Sequence, residues 1–205
     1  FNVNLKKLLS KFVLNRPQEP LPPYPYKVEE VTIPNKKFNI YLSGTLTIPE
    51  GNGHFPGVVL ITGSGAQNRD EAIMGHKPFL VIADRLTRNG IAVLRYDDRG
   101  VGKSQGTNAE VTTADLATDA EAAFQFLKSH KDINPSAVGL LGHSEGALIA
   151  AIVAASNNDV DFIVSMAGPG VKGEEILFRQ QADISRLSGI KEEEIKTSAA
   201  INRKL

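Results

Sequence analysis

The chain of 205 residues has no cysteine. This absence excludes disulfide bonds, metal sites built from thiolates and a cysteine nucleophile, and it is compatible with an oxidising or a reducing compartment. The chain also has no net charge, because 23 basic residues balance 23 acidic ones. Proteins that bind nucleic acid normally carry a basic face, so the composition disfavours nucleic acid as a partner.

Long hydrophobic runs are absent too. None reaches the roughly 18 consecutive apolar residues that a membrane-spanning helix needs, so we predict no membrane span. The aliphatic content is still sufficient for a buried core, and the length is typical of one domain with a small appendage. The first residue is Phe1 and not methionine, so we expect the gene product to start before it.

The first 26 residues show two patterns. A helical spacing of leucines predicts an amphipathic helix within residues 1–15. Five prolines follow within residues 16–26, and they remove the backbone donors that a helix or a sheet needs. This segment is therefore predicted to be an extended linker or strap. It also suits a partner of the SH3 type, although a spacer is the simpler interpretation.

Residues 27–170 alternate between apolar runs of strand length and helical patterns. The segments Val28–Ile33 and Phe38–Ile48 predict an antiparallel hairpin. Apolar runs predict four further strands at Gly57–Thr62, Ile91–Tyr96, Ala137–Leu141 and Val160–Met166. The first of them is a continuous apolar run, which is typical of a parallel strand covered on both faces. Helical patterns separate these strands, and the second of the helices is predicted to start at Thr112 or Thr113. The alternation predicts an α/β fold with a mostly parallel sheet and helices on both faces.

Beyond residue 170 the pattern changes. Residues 171–205 contain two helical patterns that separate near Ser188–Gly189, and they contain no run that predicts a strand. We interpret them as the start of a helical cap inserted after the last predicted strand. The predicted organisation is thus an N-terminal helix with a linker (1–26), an α/β core (27–170) and the start of a cap (171–205).

The most informative stretch is Gly142-His143-Ser144-Glu145-Gly146. It follows the apolar run that ends at Leu141, and it precedes a run of small apolar residues with the length of a buried helix. A serine at such a strand-to-helix turn is held in a strained, exposed conformation, and the flanking glycines allow the backbones to approach. The pattern G-x-S-x-G in this setting predicts a nucleophile elbow at Ser144.

The chemistry expected at this turn is acyl transfer. The hydroxyl of Ser144 needs a base to take its proton during attack. The backbone N–H of Glu145 lies at a helix N-terminus, where it can stabilise an oxyanion. A second donor is expected from the loop after Thr62, at the carboxyl end of its strand, and the N–H of Ser64 or of Gly65 is the candidate.

Three motifs together carry a family resemblance. They are Thr62-Gly63-Ser64-Gly65, the loop at residues 95–104 and the elbow at residues 142–146. The chain resembles the N-terminal part of an α/β-hydrolase-fold serine hydrolase, in the branch of prokaryotic esterases and peptidase-like hydrolases. The resemblance covers about residues 27–170, and it departs from many relatives in having Thr62 where they have histidine. It implies a small-molecule ester or acyl substrate, an acyl-enzyme on Ser144 and no cofactor.

One expected part of the site is missing. In this family the catalytic acid and histidine follow the serine in the chain. The four histidines of this sequence all precede Ser144, at His54, His76, His130 and His143. We interpret His143 as a packing or hydrogen-bonding residue and place His76 near the front loop. The remaining strands, the acid and the histidine are therefore expected after Leu205, and this fragment alone should be inactive.

Other chemistries fit less well. The sequence Gly102-Lys103-Ser104 ends like a phosphate-binding loop, but such a loop needs glycine where Asp97 stands. Dehalogenation and epoxide opening need a carboxylate nucleophile in place of Ser144. We expect no metal site, and we expect Asp97, Asp98 and Arg99 to fix their own turn by charge-assisted hydrogen bonds.

The sequence therefore predicts a serine hydrolase that cleaves carboxylic esters. Cleavage of amides or peptides by the same fold is one alternative, and a non-catalytic binding module that lacks the triad is another. The proline-rich strap is similar to that of exported bacterial hydrolases, so a periplasmic or secreted location is expected. The oligomeric state is left open.

Overall fold

The computed structural model describes residues 16–202, with side chains through residue 198. The helix predicted within residues 1–15 lies outside this range. Within it, none of the helices combines the length and the apolar character that a bilayer crossing requires. The division of the chain at residues 26 and 170 stays a prediction.

A six-stranded sheet forms the centre of the molecule. Its strands are β1 (Tyr26–Asn35), β2 (Ile40–Pro49), β3 (Phe55–Ile61), β4 (Ala92–Tyr96), β5 (Ile133–His143) and β6 (Phe162–Met166). They lie in the order β1-β2-β4-β3-β5-β6. The pairs β1–β2 and β2–β4 are antiparallel, while β4–β3, β3–β5 and β5–β6 are parallel. The predicted hairpin and the mostly parallel sheet are confirmed.

Helices cover both faces of this sheet, as predicted. They are α1 (Pro78–Arg88), α2 (Thr113–Lys128), α3 (Glu145–Ser156), α4 (Gly173–Leu187) and α5 (Glu192–Asn202). Successive residues of a strand point to opposite faces, so Val58 and Val59 of β3 belong to different core clusters. Val58 packs in the cluster of α1, which contains Phe79. Val59 packs in the larger cluster of α2 and α3, which contains Phe124 and Ile149.

Local sequence explains where α2 begins. Thr112 is its N-cap, and the Thr112 side chain accepts a hydrogen bond from the N–H of Asp115. The Asp115 carboxylate in turn accepts from the N–H of Thr112, which completes a capping box. The capping box thus fixes the residue at which α2 begins.

The C-terminal elements are packed less tightly. All side chains of β6 are half-buried or exposed, and α4 has no buried residue. α5 packs against α4, and its Ile195 is buried. The two predicted helices after residue 170 are therefore present, and their interpretation as a cap stays a prediction.

Candidate active site

Ser144 lies at a sharp turn between β5, which ends at His143, and α3, which begins at Glu145. Its backbone has φ +54° and ψ −118°, a conformation that residues other than glycine rarely adopt. The N–H of Ser144 donates to the carbonyl of Met166, 2.9 Å away, at the end of β6. The side chain is half-buried and does not cap its own helix. This is the strand–turn–helix context that the elbow motif predicts.

The two glycines of the motif permit close backbone contacts. A methyl group on Gly142 would lie 2.0 Å from the carbonyl oxygen of Gly146. A methyl group on Gly146 would lie 2.2 Å from the carbonyl oxygen of Ile61 in β3. Neither position has room for a side chain, so α3 can approach the sheet closely enough to hold Ser144 above it.

The loop after β3 lies against the serine. A methyl group on Gly63 would lie 3.3 Å from the Cβ of Ser144. Ser64 and Gly65 are exposed, and within residues 16–198 their N–H groups donate to no protein acceptor. The N–H of Gly63 is already engaged, because it donates to Oε1 of Glu71 at 2.8 Å. Both candidates for the second oxyanion donor, Ser64 and Gly65, therefore follow the residue that lies against Ser144, and their N–H groups have no described protein acceptor.

Glu145 is the first residue of α3, so its N–H has no partner within the helix. Its side chain accepts a hydrogen bond from the hydroxyl of Thr113 at 2.6 Å, at the start of α2. That bond directs the carboxylate towards α2 and ties together the first turns of two helices. The backbone N–H, and not the carboxylate, is thus the group that Glu145 offers at the turn.

A buried carboxylate that the sequence did not reveal joins the loop to the elbow. Oε1 of Glu71 lies 2.7 Å from Nδ1 of His143, and the same oxygen accepts the N–H of Gly63. His143 is therefore a hydrogen-bonding residue, as interpreted. The only sequence signal for Glu71 is its place at the end of a polar run, residues 67–71, that follows residues 63–66, the candidate oxyanion loop.

Asp97, Asp98 and Arg99 do not fix their own turn, so that expectation is wrong. Backbone hydrogen bonds close the turn, including the one from the N–H of Gly100 to the carbonyl of Gln105. The three side chains are buried and reach other elements instead. Their partners are Arg69 for Asp97, Thr62 and the N–H of Gln67 for Asp98, and Asp119 for Arg99.

Asp98 binds the residues on either side of the candidate oxyanion loop. Its Oδ1 accepts from the hydroxyl of Thr62 at 3.0 Å, and its Oδ2 accepts from the N–H of Gln67 at 2.9 Å. Burial raises the pKa of this carboxyl to about 6, and the two hydrogen bonds oppose the increase only in part. Thr62 thus links the end of β3 to the loop after β4.

No described histidine is hydrogen-bonded to the hydroxyl of Ser144. His54 and His130 lie at the opposite end of β5, where they contact the carbonyl of Ile133 and the carboxylate of Glu29. His76 contacts the side chain of Arg16. Within residues 16–198 the serine hydroxyl accordingly has no base.

One group of side chains in the described region has the composition of a metal site. Ligand atoms of Glu29, His130 and Asp132 lie within 4.8 Å of one another. The N–H of Asp132, however, donates to Nδ1 of His130 at 3.3 Å, which places the imidazole proton on Nε2, the atom that faces Glu29. Lys27 also lies 3.7 Å from Asp132. These contacts fit a hydrogen-bonded ionic cluster better than a metal site.

Known proteins resemble this chain in sequence and in fold. The family model described as serine aminopeptidase, S33, matches residues 77–195, which include Ser144. Esterase EstD of Thermotoga maritima is 38% identical over 136 residues, which cover 66% of this chain and 32% of EstD. A thiohydrolase of Aspergillus aculeatus is 32% identical over 141 residues, covering 68% of this chain and 40% of that protein. The chain thus spans about a third of the length of these curated relatives, between 32% and 40%.

Solved structures show the same architecture. An esterase of Pyrococcus furiosus superimposes with a TM-score of 0.57 at 25% identity, covering 70% of this chain and 52% of that one. A hypothetical protein from Pseudomonas aeruginosa gives a TM-score of 0.62 at 20% identity, with 84% and 57% covered. The second likeness concerns the fold alone.

Proposed function

The chain belongs to the α/β-hydrolase family described as serine aminopeptidase, S33, and on that basis we propose that it carries the nucleophile of a serine hydrolase that cleaves carboxylic esters. The observation on which the proposal rests is the Ser144 turn, with φ +54° at the start of α3 and the loop of Gly63 against it. The similarity to Esterase EstD supports an ester as the substrate.

In the proposed reaction, the hydroxyl oxygen of Ser144 attacks the carbonyl carbon of the ester while a base removes the hydroxyl proton. The carbonyl oxygen becomes an oxyanion, which accepts hydrogen bonds from the N–H of Glu145 and from that of Ser64 or Gly65. Losing one such donor typically costs about 3 to 4 kcal/mol of transition-state stabilisation. The alcohol leaves with a proton, and water then hydrolyses the acyl-serine.

The base is proposed to be a histidine oriented by a carboxylate. In this fold both follow the nucleophile in the chain, and no described histidine contacts the Ser144 hydroxyl. We therefore propose that none of the four histidines of this chain is the base.

Substitution of the nucleophile tests the proposal. In the full-length protein, Ser144→Ala should lower kcat for p-nitrophenyl butyrate by at least roughly 10⁴-fold, because no other group can form the acyl-enzyme. Ser136→Ala is a matched control, since this serine is exposed near the start of β5, the strand that leads to Ser144. Turnover by Ser144→Ala equal to that of the control would refute the proposal.

Cleavage of amino-terminal peptide bonds is the second candidate, because the family model is described as an aminopeptidase. Such an activity needs a carboxylate for the substrate ammonium group. The carboxylates described near Ser144, those of Glu71, Asp98 and Glu145, are already hydrogen-bonded within the protein. This favours esters, and the comparison of p-nitrophenyl butyrate with alanine p-nitroanilide decides between them.

A non-catalytic binding module is the remaining alternative. It predicts that Ser144 does not react with a fluorophosphonate in the full-length protein, whereas the hydrolase proposal predicts that it does. The periplasmic or secreted location stays a prediction from the proline-rich strap.

A further inference from the structure

Glu71 occupies a position between the two halves of the candidate site. One carboxylate oxygen, Oε1, lies 2.8 Å from the N of Gly63 and 2.7 Å from Nδ1 of His143. Gly63 opens the oxyanion loop, and His143 directly precedes the nucleophile Ser144. The residue is only 6% exposed, so water competes little for these bonds. A single buried oxygen thus links the loop to the elbow.

The backbone of Glu71 is held in an unfavourable conformation. Its φ is +50°, which costs a residue other than glycine on the order of 1–3 kcal/mol. A tight local turn maintains it, because the N–H of Glu71 donates to the carbonyl of Asn68 at 2.8 Å. The Asn68 side chain also accepts from the N–H groups of Asp70 and Ala72. Such strain is retained where neighbouring contacts fix the conformation.

The residues before Glu71 are anchored to the end of β4. The guanidinium of Arg69 donates to Asp97 from Nε at 3.1 Å and from Nη2 at 2.7 Å. Asp70 forms an ion pair with Arg95, whose side chain is buried. These contacts fix the segment that precedes Glu71, so the Glu71 carboxylate has a defined position next to Gly63.

We propose that Glu71 is a positioning residue that holds the oxyanion loop against the nucleophile turn. Its carboxylate fixes the peptide plane of Gly63, and this orients the next N–H groups, those of Ser64 and Gly65, towards the carbonyl oxygen of the substrate. An ionised carboxylate only accepts hydrogen bonds, so Nδ1 of His143 carries the proton and the ring is fixed as well. The role rests on the proposed function, and Glu71 itself contacts no substrate.

Kinetics of Glu71 variants in the full-length protein test this role. Glu71→Ala should lower kcat for p-nitrophenyl butyrate about 100-fold with KM changed less than about threefold, because a misplaced oxyanion donor weakens transition-state binding. Glu71→Gln retains an acceptor for the Gly63 N–H but lacks the charge, so a loss of about tenfold is expected. Glu110→Ala is the matched control, since Glu110 is exposed and also has a positive φ, +60°. A kcat within threefold of wild type for both Glu71 variants would overturn the proposal.

Hydrogen exchange supplies a readout that does not depend on turnover. The amide of Gly63 should exchange at least tenfold faster in Glu71→Ala, about threefold faster in Glu71→Gln, where a weaker neutral acceptor remains, and at the wild-type rate in Glu110→Ala. Unchanged Gly63 exchange, with activity still lost in Ser144→Ala, would refute the role of Glu71 alone. If Gly63 exchanges faster in the Glu71 variants but Ser144→Ala keeps its turnover, the proposed function is refuted. The role of Glu71 in holding the loop is then still supported.

Discussion

Two regions of this molecule differ in how they bury apolar side chains. Residues 26–156 contain the first five strands of the sheet, which α1 covers on one face and α2 and α3 cover on the other. In residues 162–198, Phe162, Ile163 and Val164 of β6 are 40–45% exposed, and α4 has no buried residue. Ser144 belongs to the first region, and its N–H donates a hydrogen bond to the carbonyl of Met166 in the second. We therefore expect the tightly packed region to determine most of the geometry of the Ser144 turn.

The largest expected effect comes from a glycine at the elbow. Gly146→Val would place Cβ 2.2 Å from the carbonyl oxygen of Ile61, a contact that only backbone movement can relieve. We expect a destabilisation of more than about 4 kcal/mol, or no soluble protein. Gly170→Ala is the counterpart beyond β6, where a methyl group meets nothing within 4 Å. The urea midpoint of Gly170→Ala should equal that of the wild type. Equal midpoints for Gly170→Ala and Gly146→Val would contradict the contrast between the two regions.

A smaller effect is expected from emptying the core. Phe124 in α2 is fully buried, so Phe124→Ala should lower the free energy of unfolding by about 3 to 5 kcal/mol through lost burial and a new cavity. Leu177 in α4 is 67% exposed, and Leu177→Ala should change the free energy of unfolding by less than about 0.5 kcal/mol. Chemical denaturation of both variants measures the contrast. A loss in Leu177→Ala as large as in Phe124→Ala would show that α4 is buried in the protein.

The smallest expected effect concerns pH. Burial raises the pKa of Asp98 to about 6 in the folded protein. In the unfolded chain the pKa of an aspartate is about 4. Between pH 4 and 6 the folded state therefore binds more protons than the unfolded state, so the free energy of unfolding falls as the pH rises. This contribution amounts to roughly 3 kcal/mol and should disappear in Asp98→Asn. We expect the free energy of unfolding of the wild type, relative to that of Asp98→Asn, to be larger at pH 4 than at pH 7. Urea denaturation of both proteins at the two pH values measures this difference.

The less packed region should respond to pH with the opposite sign. The hydrogen bond from Arg186 lowers the pKa of the Glu192 carboxyl, so its stabilising effect is present above the unfolded pKa and is lost as the pH falls. In Glu192→Gln this loss of stability at low pH should be absent. If both variants changed the pH dependence in the same direction, the contrast in electrostatics between the two regions would not hold.

The fold could be read from the sequence where local patterns decide it. The apolar runs, the hairpin and the capping residue Thr112 each depend on neighbours within a few positions. The Ser144 turn was predictable for the same reason, because Gly142 and Gly146 are part of a short pattern with a strand before it and a helix after it. The position of β4 between β2 and β3 depends instead on contacts between distant segments.

The supporting contacts of the site could not be predicted in this way. Glu71 and His143 lie 72 positions apart, and only the pairing of β3 with β5 brings their surroundings together. Asp97 and Asp98 were assigned to their own turn because sequence shows only near neighbours. Burial of the end of β4 directs their side chains to Arg69 and to the oxyanion loop instead.

The most direct test of the account is the site at which the full-length protein reacts with a fluorophosphonate probe, identified by mass spectrometry of the labelled peptides. We expect one modified residue, Ser144, and no labelling of the Ser144→Ala variant at the same probe concentration. Labelling of another residue, or equal labelling of the variant, would contradict the assignment of the nucleophile.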